Sequence, residues 1–391
     1  MPFSRLEELA IVVAWLDSAR WSEENQKSFS WQPNVQLSAP QEMLTHWLTY
    51  ITDIQRPWQD VWNIGKPVFG EIVKSFLATN FQNFQDITIG KQKIQQFLDE
   101  NFRVGPLEGK KVRTFRFGKL EYTPRYPNQH DFIERTLTIL AYQYDKDFLK
   151  FIGDSIKRWE QYPKGLHRLA YDLYLLTYSS HDLGKTVKIL TSPKEQEPLF
   201  FKWNNFGYKR LWAALRDYRK IVSYLELAKR GFLKIFGQKE GTYLYDVWTK
   251  KPNFGLDLLE LPGDVWNIKF MQKVVKPMAD KSGLIISKSW GSSYIARKIF
   301  DKMQTKLFYP EQFDVSFDLS AKTCENGDCD LCPFGYSDLK NVCLSNTSAK
   351  GIKYCPIVLA TCQYRMFCNP ENCPVANNVG KGLCSPSSKS N

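Results

Sequence analysis

Apolar residues recur along most of the chain at the spacing of one face of an α-helix. Positions i, i+3, i+4 and i+7 are apolar in three stretches, which are Leu44, Trp47, Leu48 and Ile51, then Leu137, Leu140, Ala141 and Tyr144, and then Leu166, Leu169, Ala170 and Leu173. A stripe of this kind is normally buried against other helices. The pattern therefore predicts a mainly α body with these residues in its core.

The helical pattern is interrupted in the stretch 112–122. Gly118 and Lys119 separate two short runs that are rich in aromatic and basic residues, which predicts a β-hairpin with a two-residue turn. The basic side chains of this hairpin are Arg113, Arg116 and Lys119. A proline-containing stretch follows, so a domain boundary is expected near residue 125.

We therefore expect four regions. They are an N-terminal helical region with the hairpin over 1–125, a helical core over 126–320, a cysteine-rich metal-binding module over 321–384 and a disordered tail over 385–391. The stretch from Leu6 to Leu16 carries two glutamates and is too short to span a bilayer. We expect a cytoplasmic protein that has no membrane partner.

The charge balance favours a polyanionic partner. The chain of 391 residues has a formal net charge of +12, and Lys and Arg displace the counterions condensed on nucleic acid. Basic and aromatic residues are interleaved between Gly207 and Phe236, and the candidate phosphate-contacting residues there are Lys209, Arg210, Arg216, Arg219 and Lys220. The alternative is a basic, solvated helix face that binds nothing.

All nine cysteines lie in the C-terminal part of the chain, and none precedes Cys324. Thiolates concentrated in one segment are typical of a zinc site or an iron–sulfur cluster, whereas disulfides are typical of small secreted chains. The first candidate ligand set is Cys324, Cys329, Cys332 and Cys343. A second set, which is either another metal site or a group of inert small apolar residues, is Cys355, Cys362, Cys368 and Cys373.

The first cysteine loop resembles that of the helix-hairpin-helix DNA glycosylase superfamily. Its iron–sulfur members end in a four-cysteine loop that contains C-x-x-C-P, and this chain has that sequence from Cys329 to Pro333. The intervals of four, two and ten residues between the cysteines depart from the usual family spacing, which leaves open whether the loop binds a [4Fe–4S] cluster or zinc. The resemblance implies a helix-hairpin-helix glycosylase-like body.

Two further segments resemble functional motifs of this family. The segment 261–270 is similar to its catalytic segment, with Asp264 in the aspartate position and Lys269 in the basic position. The segment 236–242 is similar to its hairpin, which implies that Gly237, Lys239 and Gly241 face a DNA phosphate. Asp264 is equally compatible with an ordinary turn in which it caps a helix.

The resemblance implies a monofunctional DNA N-glycosylase, a hydrolase of DNA repair. A damaged or modified base would be flipped into a pocket, stack on Trp248 or Trp266 and be released with Asp264 assisting water attack. The alternative is a non-catalytic nucleic-acid-binding protein with the same metal module. A second alternative is an HD-type metal-dependent phosphohydrolase that binds its metal at His181 and Asp182. The same stretch is also compatible with the end of a helix that is capped by Gly184.

Overall fold

The computed structural model describes residues 13, 14, 17, 21–27, 32–53, 60–81, 84, 86–106, 112–192, 205–262, 295–298, 301 and 309–314. This part of the chain is mainly helical, as the apolar pattern predicts. It divides into two compact units, Phe29–Leu258 and a unit formed by Met1–Ser28 with Leu259–Asn391. In the second unit, an Arg297 Nη2 donates to Glu260 Oε1 at 3.0 Å.

The larger unit contains nine α-helices among its described residues. They are α1 Ala39–Thr52, α2 Lys66–Ala78, α3 Ile87–Asn101, α4 Asn128–Gln143, α5 Phe148–Trp159, α6 Gly165–Thr177, α7 Leu183–Thr191, α8 Asn205–Lys220 and α9 Val222–Lys250. A π-helical turn, Val61–Gly65, leads into α2. Three strands, β1 Arg103–Pro106, β2 Arg113–Phe117 and β3 Leu120–Tyr122, lie between α3 and α4.

Helix α1 lies at the centre of this unit. Its start is fixed by Ser38, whose hydroxyl accepts from the Gln41 N–H at 3.3 Å. Nearly every residue of α1 is buried, because the helix packs against α2, α5, α8 and α9. The apolar stripes predicted for α1, α4 and α6 are confirmed as core positions, with Ala141 partly exposed.

The strands form an antiparallel sheet in the order β1-β2-β3. The predicted hairpin is confirmed as β2 and β3, with Gly118 and Lys119 in the turn, whereas β1 was not predicted. An ion pair between Arg103 and Glu134 connects β1 to α4. The Tyr122 hydroxyl donates to the Thr52 carbonyl at 3.0 Å. Residue 125, the expected boundary, falls inside this unit.

Within the described ranges, no helix has both the length and the apolar character required to cross a bilayer.

Candidate nucleic-acid interface

Helix α9 contains a corner at Gly237. This residue has φ 79° and ψ 172°, which lies outside the helical region and favours glycine. A helical segment therefore ends at Gly237 and a second one, 238–250, begins directly after it. The stretch 236–242, which resembles the hairpin of the glycosylase superfamily, is a corner between two helical segments in this chain.

The two glycines of this stretch have different environments. Gly237 is exposed, and a Cβ placed on it would meet nothing within 4 Å. Gly241 is buried, and a Cβ there would lie 2.5 Å from the Phe232 carbonyl oxygen. Gly241 therefore allows the segments on either side of the corner to approach each other, and the implied phosphate-facing position fits Gly237 alone.

Gly241→Ala is expected to destabilise the protein by about 2–3 kcal/mol, because the added methyl group would force backbone atoms at the corner apart. The measurement is urea or thermal unfolding. Gly70→Ala in α2 is the matched control, since its Cβ would only touch the Thr45 side chain at 3.8 Å. We expect this control to stabilise the helix by up to about 1 kcal/mol. Equal effects of the two substitutions would contradict the packing role of Gly241.

Exposed basic residues lie along α9 on both sides of the corner. We define the corner surface as Lys229, Arg230, Lys234, Gly237 and Lys239, all of which are exposed. In the described ranges, none of its four cations forms an ion pair with a carboxylate. Neighbouring Glu240 is neutralised by Lys157, with Nζ 2.6 Å from Oε1. The corner surface therefore keeps its positive charge facing solvent.

The arginines predicted on α8 do not reach solvent. Arg210, Arg216 and Arg219 are only 4–5% exposed, while Lys209 and Lys220 are half-buried. The Arg210 Nε donates to the Asp53 carbonyl at 2.6 Å, and Arg216 donates twice to Asp217, at 2.9 and 3.1 Å. The structure therefore places these three arginines in the interior, with Arg210 and Arg216 bonded to groups of the fold, and phosphate contact through them stays a prediction.

The β2–β3 hairpin carries a second group of exposed cations. Arg113 is paired with Asp99, with Nη1 2.6 Å from Oδ1, and Arg116 is paired with Glu121. Lys119 in the turn is exposed and has no carboxylate partner among the described residues. The hairpin therefore adds a positive charge at its turn, apart from the arginines that are neutralised locally.

A fully buried polar network lies between α1, α8 and α9. Asp217 accepts from the Tyr50 hydroxyl and from Arg216, while His46 Nδ1 is 2.5 Å from the Tyr224 hydroxyl. The His46 Nε2 lies 3.7 Å from Asp217 Oδ2, beyond hydrogen-bond distance. No sequence motif indicates this network, because the Tyr50–Asp217 and His46–Tyr224 contacts join positions more than 160 residues apart.

Burial sets the protonation of the network. It lowers the pKa of His46 well below its ordinary value, and the nearby charges of Lys66 and Arg216 lower it further. Burial raises the pKa of Tyr50 well above its ordinary value, and the Asp217 carboxylate raises it further. His46 is therefore neutral and Tyr50 keeps its proton, and the hydrogen bonds to the Asp217 carboxylate connect α1 with α8.

The residues of the HD-type alternative have structural roles. Asp182 caps the start of α7 by accepting from the Lys185 N–H at 2.7 Å, so Gly184 lies in a first turn and does not end a helix. His130, which could supply an upstream histidine to such a site, has its Nε2 2.6 Å from the Arg113 carbonyl oxygen, and burial lowers its pKa to about 4. Across the residues that the structure describes, no three His, Cys, Asp or Glu side chains are arranged to hold a metal.

The remaining predicted site residues lie outside the described ranges. These are Asp264, Trp266, Lys269 and both cysteine sets, so the catalytic aspartate and the metal ligands stay predictions. Trp248 is described and is fully buried, with its ring 5.7 Å from that of Phe232. It belongs to the core and does not offer a face to a flipped base.

Comparison with known proteins gives no relative for this chain. No protein-family model, curated protein or solved structure matches it. Functional inference therefore rests on its own residues.

Proposed function

We propose that the protein binds nucleic acid, with DNA as the expected form, through the corner surface of α9. The observation that supports this proposal is the set of exposed cations on both sides of Gly237 that have no carboxylate partner in the described ranges. The net charge of +12 also supports nucleic-acid binding, because a positively charged protein attracts a polyanion.

The corner geometry suits a phosphate group in two ways. Gly237 has no side chain and is exposed, so a strand can approach its backbone closely. The helical segment 238–250 begins at the corner, and the N-terminus of a helix carries a partial positive charge. Lys234 and Lys239, three residues before and two residues after Gly237, add full charges to this position.

Base release is the reaction we propose for this binding protein. The support is the resemblance of the segment 261–270 to the catalytic segment of helix-hairpin-helix glycosylases, with Asp264 as the carboxylate that orients water and stabilises the developing sugar cation. The cysteines Cys324, Cys329, Cys332 and Cys343 would hold a [4Fe–4S] cluster, with zinc as the alternative, in a structural role. The rival is a binding protein that has no catalytic activity.

The substitution Asp264→Asn distinguishes a DNA glycosylase from a nucleic-acid-binding protein without catalytic activity. If Asp264 assists water attack, the substitution should lower the rate of base release by at least about 10²-fold, because the carboxylate is then neutral. The affinity for the same oligonucleotide should change less than about twofold. The measurement is base release from a panel of oligonucleotides that carry damaged or modified bases, together with binding by fluorescence anisotropy. A parent protein that binds the panel and releases no base would contradict the catalytic proposal.

A further inference from the structure

The turn of the β2–β3 hairpin exposes two large apolar side chains. Phe117 is 42% exposed and Leu120 is 37% exposed, and they face each other across the strands. Directly opposed residues of an antiparallel pair lie on the same face of the ribbon. We define the hairpin tip as Phe117, Gly118, Lys119 and Leu120, and its apolar pair as Phe117 and Leu120.

The base of this hairpin is held firmly by the core. Phe115 is fully buried and its ring meets that of His130 edge-on at 5.1 Å, while Tyr122 is 2% exposed. The Tyr122 ring also fills the space beside Gly65, whose Cβ would lie 3.0 Å from it. Buried side chains on both strands therefore hold the hairpin in place, and the exposed tip lies beyond them.

The shape of the tip depends on its glycine. Gly118 has φ 58°, a conformation that favours glycine and is typical of two-residue hairpin turns. Such a tight turn leaves no further residues that could fold over the apolar pair. Among the described residues, nothing covers the Phe117 ring and the Leu120 side chain fully, and both are exposed.

The charged residues near the hairpin tip indicate which class of ligand it can bind. Lys119 is exposed between Phe117 and Leu120 and has no carboxylate partner among the described residues, whereas Arg113 and Arg116 on β2 are paired with Asp99 and Glu121. An apolar ring beside one uncompensated cation is complementary to an unpaired base that is attached to a phosphate backbone. Aromatic side chains beside basic ones bind single strands by stacking, with little dependence on base identity.

We infer that the hairpin tip binds an unpaired base of a nucleic acid strand, with the base stacked on Phe117 and the backbone beside Lys119. This inference rests on the proposed nucleic-acid binding and goes further, because it predicts a preference for unpaired over fully paired strands. A duplex with blunt ends offers the tip only base edges and terminal pairs, whereas a single strand offers free base faces.

The test uses the full chain and two probes, a single-stranded oligonucleotide that contains 2-aminopurine and a blunt duplex of the same sequence. Phe117→Ala is expected to weaken single-strand binding about tenfold, within the range for loss of one stacked base, and duplex binding less than about twofold. The parent should quench 2-aminopurine fluorescence and Phe117→Ala should not. Phe117→Trp should retain both properties of the parent.

Ile89→Ala is the matched control, because Ile89 is 40% exposed on α3, away from the hairpin. It should bind both probes as the parent does. A parent that binds both probes while Phe117→Ala is unchanged would overturn the inference and leave the proposed function standing. Failure of the parent to bind either probe would overturn both. If Phe117→Ala dissociates an oligomer and leaves strand binding intact, a second copy of the chain covers the apolar pair, and the inference is overturned.

Discussion

Asp217→Ala is expected to lower the free energy of unfolding by about 3–5 kcal/mol, which is the usual cost of removing one partner from a buried ion pair. Asp217 is fully buried, accepts from the Tyr50 hydroxyl and is 2.9 Å from an Arg216 Nη2. Without the carboxylate, the Tyr50 hydroxyl stays buried and loses its acceptor. The transition should move to lower temperature by about 10 °C, and thermal and urea unfolding measure both changes.

Asp99→Ala is the matched control for this experiment. Asp99 also pairs with two arginines, Arg103 at 3.0 Å and Arg113 at 2.6 Å, but its side chain is 44% exposed. Because solvent screens an exposed pair, this control should cost no more than about 1 kcal/mol. Similar small losses for the two substitutions would show that the buried network does not hold α1 and α8 together.

Removing the four cations of the corner surface is expected to weaken nucleic-acid binding by about 10²- to 10³-fold at 0.1 M salt. The variant carries Lys229→Ala, Arg230→Ala, Lys234→Ala and Lys239→Ala. Each phosphate contact contributes about 0.7–0.9 to the slope of log affinity against log salt, so four contacts account for about a factor of 10³ between 1 M and 0.1 M. Fluorescence anisotropy with a labelled duplex measures the change.

The control for this variant removes the same charge from elsewhere on the larger unit. Lys74, Lys91, Lys185 and Lys188 are exposed on α2, α3 and α7, and their replacement by alanine also lowers the net charge by four. This control should lose no more than about tenfold in affinity, through the weaker overall field. Equal losses in the two variants would mean that binding depends on net charge and not on the corner surface.

The sequence was sufficient to predict several helices and the hairpin. The stripes of α1, α4 and α6 and the hairpin around Gly118 follow from apolar periodicity and turn residues, which act over a few neighbouring positions. Strand β1 was missed because its four residues have no alternating pattern and depend on pairing with β2. Strand β1 could therefore be assigned only from its pairing with β2, which the apolar periodicity of the sequence does not indicate.

The candidate interface was harder to predict, because the exposure of a side chain depends on partners that are distant in sequence. Lys239 and the glycine pair on α9 were found from a motif, yet burial of Gly241 against Phe232 depends on the helix corner. Arg210 was placed on the surface, although its partner is the carbonyl of Asp53, 157 residues earlier. A basic residue on an amphipathic helix gives no local sign of such a contact, so sequence alone does not distinguish interior arginines from phosphate ligands.

The salt dependence of oligonucleotide binding by the intact protein tests the proposed function most directly. If the four exposed cations of the corner surface contact phosphate, we expect log affinity to fall linearly with log salt, with a slope of about −3 or steeper. Absence of binding at low salt, or a slope near zero, would contradict the proposal that this protein binds the phosphate backbone of a nucleic acid.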